Sequence, residues 1–185
     1  MGWFSVVKGA YPGLDQIDRC LPVGTSETSI QRGSLVYEDD SDTSVGPQFR
    51  LAGAAQAADP RAYIYFSLVD QTNFTAGMAG SYGQGPAGGV AKITGLAVGM
   101  PLEVQTDQFD TGTGIVAGDL LAPGAGGLVT THAAGQNCIG QCTKAPFSRW
   151  VNDAVAVAGR RTGANVEVIN LRTMWLPGLV GTMGS

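Results

Sequence analysis

Charge is scarce in this 185-residue sequence: Asp, Glu, Lys and Arg make up 14% of it, against about a quarter in an average soluble domain. A surface so poorly charged points to burial of part of it against a partner. Clustered basic residues are missing too. The net charge is −4 and the one basic pair is Arg160-Arg161. Phosphate neutralisation needs far more, so nucleic acid is excluded as the main partner. No window approaches the ~20 apolar residues of a membrane-spanning helix. The opening MGWFSVVKGAYPG has no charged region followed by a long apolar core, so neither a secretory signal nor a membrane partner is expected. Histidine occurs once, as His132, and any catalytic triad or histidine metal site would have to be built on it. The three cysteines, Cys20, Cys138 and Cys142, are an odd count and no secreted disulfide framework. Reduced thiols in a protein assembled in the cytosol are the expectation.

What the chain does have is glycine and proline, 28 and 9 residues, punctuating short apolar runs. Runs of this length between Gly, Pro and Asp read as strands of a tightly turned sheet. Strands are expected at Ser29–Tyr37, split at Arg32-Gly33, and at Gln48–Leu51, Ala62–Val69, Val90–Val98 and Leu102–Gln105. Three more short runs follow, Ile115-Val116, Leu120-Leu121 and Ile139–Cys142, and then Asn165–Leu171. Ala54–Pro60 reads as a small-residue loop or short helix, and Ala145–Arg160 fits a helical turn or a strand. In Ala62–Val69 Tyr63, Tyr65 and Ser67 alternate with Ile64, Phe66 and Leu68, the period-2 pattern of a sheet with both faces covered.

No constellation announces chemistry. Gly83-Gln84-Gly85-Pro86-Ala87-Gly88 matches the G-x-G-x-x-G dinucleotide fingerprint in form. However, Pro86 lies inside it and a β-type run follows, where the mechanism requires a helix N-terminus. His132 has no nucleophile or ligand signature beside it and reads as an exposed loop residue. Cys138 and Cys142 would share one face of a strand and read as packing residues. Glu38, Asp39, Asp40 and Asp42 lack the glycine and closing glutamate of an EF-hand loop and read as a solvated turn. The expectation is no catalytic residue, no metal and no cofactor.

One stretch carries a resemblance. Ile115, Gly118-Asp119-Leu120, a Gly-rich turn, Leu128-Val129-Thr130, Ile139-Gly140 and then Val166-Glu167-Val168 occur in an order similar to that of bacteriophage capsid cement (head decoration) proteins. The similarity runs over roughly residues 104–171. It implies a structural virion protein that binds the outside of an assembled capsid and bridges subunits of the major capsid protein. It also implies self-association, with a trimer as the number. The alternative is a receptor- or glycan-binding module of a head or tail fibre, for which Tyr11, Tyr82 and Trp175 are candidate loop aromatics. A small enzyme is a third reading that the lone histidine disfavours.

The fold class expected is mainly β: a compact β-barrel or β-sandwich-like domain with an extended N-terminal arm and a loose C-terminal tail. Residues 1–28 form the arm, because Gly2, Gly9, Pro12, Gly13, Pro22 and Gly24 forbid a long helix. Trp3, Phe4, Val6, Val7 and Tyr11 nevertheless need apolar burial, and they are the candidate capsid-binding or inter-subunit residues. An arm that folds back on its own domain is the competing expectation. Residues 29–172 form the β-rich domain, alternatively two β-units, 29–75 and 90–172, joined by a Gly-rich loop. Such a duplication is suggested by the echo of Ile30–Val36 in Ile115–Leu121. Residues 173–185 form the tail.

Overall fold

The computed structural model describes residues 4–8, 18–22, 27, 30–41, 43, 46–68, 92–99, 102–157 and 160–178. They build a two-sheet, sandwich-like β-domain. The strands are β1 (Phe4–Lys8), β2 (Asp18–Pro22), β3 (Leu35–Asp39), β4 (Gln48–Leu51), β5 (Ile64–Ser67), β6 (Lys92–Ala97) and β7 (Glu103–Thr106). After them come β8 (Leu120–Pro123), β9 (Val129–Thr131), β10 (Cys138–Val157) and β11 (Arg160–Leu176), and a short helix α1 (Ala54–Ala58) lies between β4 and β5. One sheet has six strands in the order β1-β7-β11-β10-β8-β9, the other five in the order β2-β6-β5-β3-β4. Every strand pairing in both sheets is antiparallel.

Period-2 alternation sorts the side chains. On β3, Leu35 enters the main core and the next residue, Val36, enters a second cluster with Ile30 and Phe49. On β5, Ile64 and Phe66 face the main core while Tyr65 packs on the second cluster. The five-stranded sheet is therefore apolar on both faces, as its bulky alternation requires. The main core draws Leu35, Phe66 and Leu96 from that sheet and Val104, Leu121, Ile139, Ile169 and Leu171 from the six-stranded one. Polar ties cross between the sheets as well: the Thr106 hydroxyl donates to Gly33 O at 3.2 Å, and Gly127 N–H donates to Ala52 O at 2.9 Å.

Asn137 is a buried knot that periodicity cannot foresee. Its side chain is fully buried. Its amide donates to Gln56 O and Asp59 O at 2.8 and 2.6 Å, and its Oδ1 accepts from Gly178 N–H at 2.8 Å. One side chain so satisfies backbone groups from the end of α1, the turn after it and the chain after β11.

Four expectations need correction. Residues 4–8 and 18–22 are not an arm separate from the β core. β1 pairs with β7, Phe4 opposite Thr106, and β2 pairs with β6, Asp18 opposite Leu96. Breakers dense enough to forbid a helix still leave the runs FSVVK and DRCLP, and about five residues suffice for a strand. Second, a division between 75 and 90 does not separate two units, because β6 pairs with β5 on one side and β2 on the other. Third, Ile115-Val116 is not a strand. Ile115 is buried in the core, while the Asp119 carboxylate accepts from Val116 N–H at 2.8 Å and Gly118 adopts φ 99°, closing a local turn that outcompetes strand pairing. Finally, residues 173–176 are not tail, because β11 continues to Leu176, and residues 179–185 lie outside the described residues.

Candidate interaction surfaces

The residues singled out for attachment separate into three groups. Trp3 and Tyr11 lie outside the described residues. Phe4 serves the domain itself: its ring stacks on Phe66 with centroids 5.1 Å apart and a 30° tilt. The backbone of Val6 pairs with Val104 on β7. Val7 is exposed at 41% on β1, an edge strand of the six-stranded sheet. The structure thus brings Phe4, Val6 and Val7 to one sheet edge, where only Val7 is shown facing out.

Sequence reasoning missed the feature that distinguishes this domain. β10 and β11 form one long hairpin, paired from Cys138 opposite Leu176 to Val157 opposite Arg160. At its base the hairpin lies within the six-stranded sheet, where Gly140 and Gln141 pair with β8, and Ile169 to Arg172 pair with β7. Beyond Lys144 and Ile169 the strands pair only with each other among the described residues. Phe147–Val157 and Arg160–Val168 thus form a two-stranded ribbon with a contour length of roughly 30 Å. The register shifts between Lys144 and Phe147, where Pro146 offers no N–H to the ladder. It shifts again between Val151 and Val155, and such bulges bend and twist a ribbon.

The ribbon base is pinned by specific contacts. Arg149 donates to Gln105 Oε1 on β7. The Lys144 ammonium sits 3.7 Å from the centre of the Phe147 ring, a cation–π contact. Trp150 is 61% exposed and lies across the opposite strand at Gly163, where a Cβ would come within 2.5 Å of the indole. Glycine at 163 makes room for this large ring, most of which stays exposed. The signal available in the sequence is the β-compatible run on both sides of Ala158-Gly159, of which Ala145–Arg160 reads as a helical turn or a strand and Asn165–Leu171 as a strand.

The groups weighed for chemistry are placed as follows. His132 is half-buried rather than exposed, and its Nε2 bonds Gln136 O at 2.8 Å across the turn after β9. Cys138 and Cys142 are free thiols, both buried, with Cys142 in the main core. Burial pushes the Cys142 thiol up, partly opposed by its hydrogen bond to Lys144. The acidic segment is less solvated than its composition implies, for Asp39 ends β3 and binds Arg50 at 2.7 Å. Trp175 is not a loop aromatic: it lies on β11 and packs, half-buried, on the main core. Tyr82 and the Gly83–Gly88 run lie outside the described residues. Among the described residues no three His, Cys, Asp or Glu side chains are grouped to hold a metal ion, and no helix is long and apolar enough to cross a membrane. Searches of protein-family models, of curated proteins and of solved structures each returned no match.

Proposed function

We propose that this chain is a structural virion protein that binds the outside of an assembled phage capsid and stabilises it by bridging subunits of the major capsid protein. The observation that carries the reading is the β10–β11 ribbon. A two-stranded hairpin standing alone is marginal in water, because it has no layer to pack against. This one has open hydrogen-bonding edges beyond Lys144 and Ile169 among the described residues and a largely exposed Trp150. Both features suit an element completed by a neighbour's surface. The cement-like residue order over 104–171 supports the reading from a second direction, and it covers β7 to most of β11.

The mechanism is mechanical. A copy that contacts two or more coat subunits binds only the assembled lattice, so mass action stabilises the shell relative to its free subunits. Self-association as a trimer would present three ribbons to the lattice at once. Simultaneous engagement raises avidity without any new contact.

The test is to replace residues 150–165 by a two-residue Asn-Gly turn. Arg149 and Val166 oppose each other in the register, so the shortened hairpin can close. The variant is expected to keep its core and to lose binding to purified shells by at least about 100-fold, a size typical of removing a central aromatic anchor with its surroundings. Undiminished shell binding by a well-folded variant would sink the reading.

A further inference from the structure

A cleft of about 750 Å³ opens at the end of the five-stranded sheet, where the last residues of β3 meet the turn between α1 and β5. We propose that this cleft binds a neutral saccharide. It is independent of the ribbon and of the capsid reading.

Three observations point to that ligand. The first is aromatic. Tyr37, Tyr63 and Tyr65 all line the cleft, and Tyr63 is 74% exposed, the most exposed large ring among the described residues. Tyr65 is held in place by edge-on packing against Phe49, with centroids 5.2 Å apart. Flat aromatic faces take the C–H faces of a sugar ring as they take other apolar surface. Among the described residues Ala62 is the only aliphatic one in the lining, which disfavours a purely apolar ligand.

The second observation is that donors and acceptors are mixed. Asp40 contributes a carboxylate, and Arg61 and Gln56 contribute donors. Gln56 Oε1 already accepts from Gly53 N–H at 3.0 Å, so its amide offers N–H to a guest. Hydroxyl groups both give and take hydrogen bonds, so a polyol uses such a lining in full. A cation would use the acceptors alone and would leave the Arg61 and Gln56 donors unmatched. An anion such as a phosphorylated or sialylated ligand would face the carboxylates of Glu38, Asp39, Asp40 and Asp59.

The third is support from beneath. Asp39 is fixed by Arg50 at 2.7 Å, and Asp59 accepts from Arg61 N–H at 2.9 Å. Asn137 anchors the backbone at Gln56 and Asp59. Asp39 and the backbone at Gln56 and Asp59 are thus held in place, and a preformed wall lowers the ordering cost of binding.

The experiment uses the full chain with neutral trisaccharides of glucose, galactose, mannose and N-acetylglucosamine, read by saturation-transfer-difference NMR and titration. At least one is expected to bind in the millimolar range, and Tyr63→Ala is expected to weaken it about tenfold. Tyr63 is exposed enough that its loss leaves the fold intact. Asp40→Asn should also weaken binding, and Trp150→Ala should not. Absence of binding by every probe at ~10 mM, binding of spermidine with no saccharide bound, or a saccharide signal indifferent to Tyr63→Ala would each overturn the assignment. Shell binding by Tyr63→Ala should equal that of the parent protein, which keeps this test separate from that of the capsid reading.

Discussion

Gly126 and Gly127 stand side by side before β9 and offer a controlled measurement of how the two sheets meet. Both have left-handed backbones, φ 66° and 76°. Alanine at either position carries the same conformational cost, about 1–2 kcal/mol. They differ in their surroundings. A Cβ on Gly126 meets nothing within 4 Å, whereas on Gly127 it would lie 2.7 Å from both Leu35 O and Leu51 Cδ2. Leu35 O cannot easily recoil, because it accepts the Ala52 N–H at 2.9 Å. If Gly127 moves instead, its own bond to Ala52 O is strained, worth about 0.5–1.5 kcal/mol, and overpacking adds about 1–3 kcal/mol. Gly127→Ala should therefore lose about 2–3 kcal/mol more than Gly126→Ala. In a domain of this size that separates their Tm values by about 5–10 °C. Thermal and urea unfolding followed by circular dichroism would measure it. Equal losses for the two variants would refute the close approach of the Gly-rich turn to β3 and β4.

Asn137→Ala should lower stability by about 2–4 kcal/mol, because it strands three backbone groups; urea unfolding measures this, and a loss below about 1 kcal/mol contradicts it. Cys138 and Cys142 should resist a thiol reagent in the native protein and react on unfolding, as peptide mass spectrometry after labelling can read; rapid native labelling of either contradicts their burial. Burial, and after it the charge of Asp39, hold the Tyr37 phenol above its ordinary value, with Arg50 partly opposing. The folded state favours the neutral phenol, so this contribution is complete below about pH 10 and is lost as pH rises through the raised folded pKa. Tyr37→Phe should accordingly flatten the alkaline decline in Tm, and an unchanged slope would count against the assignment. Light scattering of the purified protein is expected to give a mass about three times the 19.0 kDa of the chain, and a monodisperse monomer rejects the trimer.

Most strand positions were legible because the alternation of side chains is local information. Gln48–Leu51 was read to the residue, and Ala62–Val69 and Val90–Val98 each contain a strand of the fold. The density of glycine and proline likewise determined that the chain would be mainly β, since breakers at such spacing stop helices and leave runs long enough to pair. Pairing itself is not local. Whether FSVVK hangs free or closes an edge depends on Val104 and its neighbours a hundred residues away, and loop-closure entropy says nothing about which distant strand wins. The ribbon escaped for a related reason: Ala145–Arg160 has the same composition whether it turns as a helix or extends, and the choice is made by a ladder to Arg160–Leu176. Asn137 and the tyrosine-lined cleft belong wholly to the tertiary structure. Side chains from β3, α1, the following turn and β5 converge there only after the sheet has formed, and no spacing along the chain encodes a convergence in space.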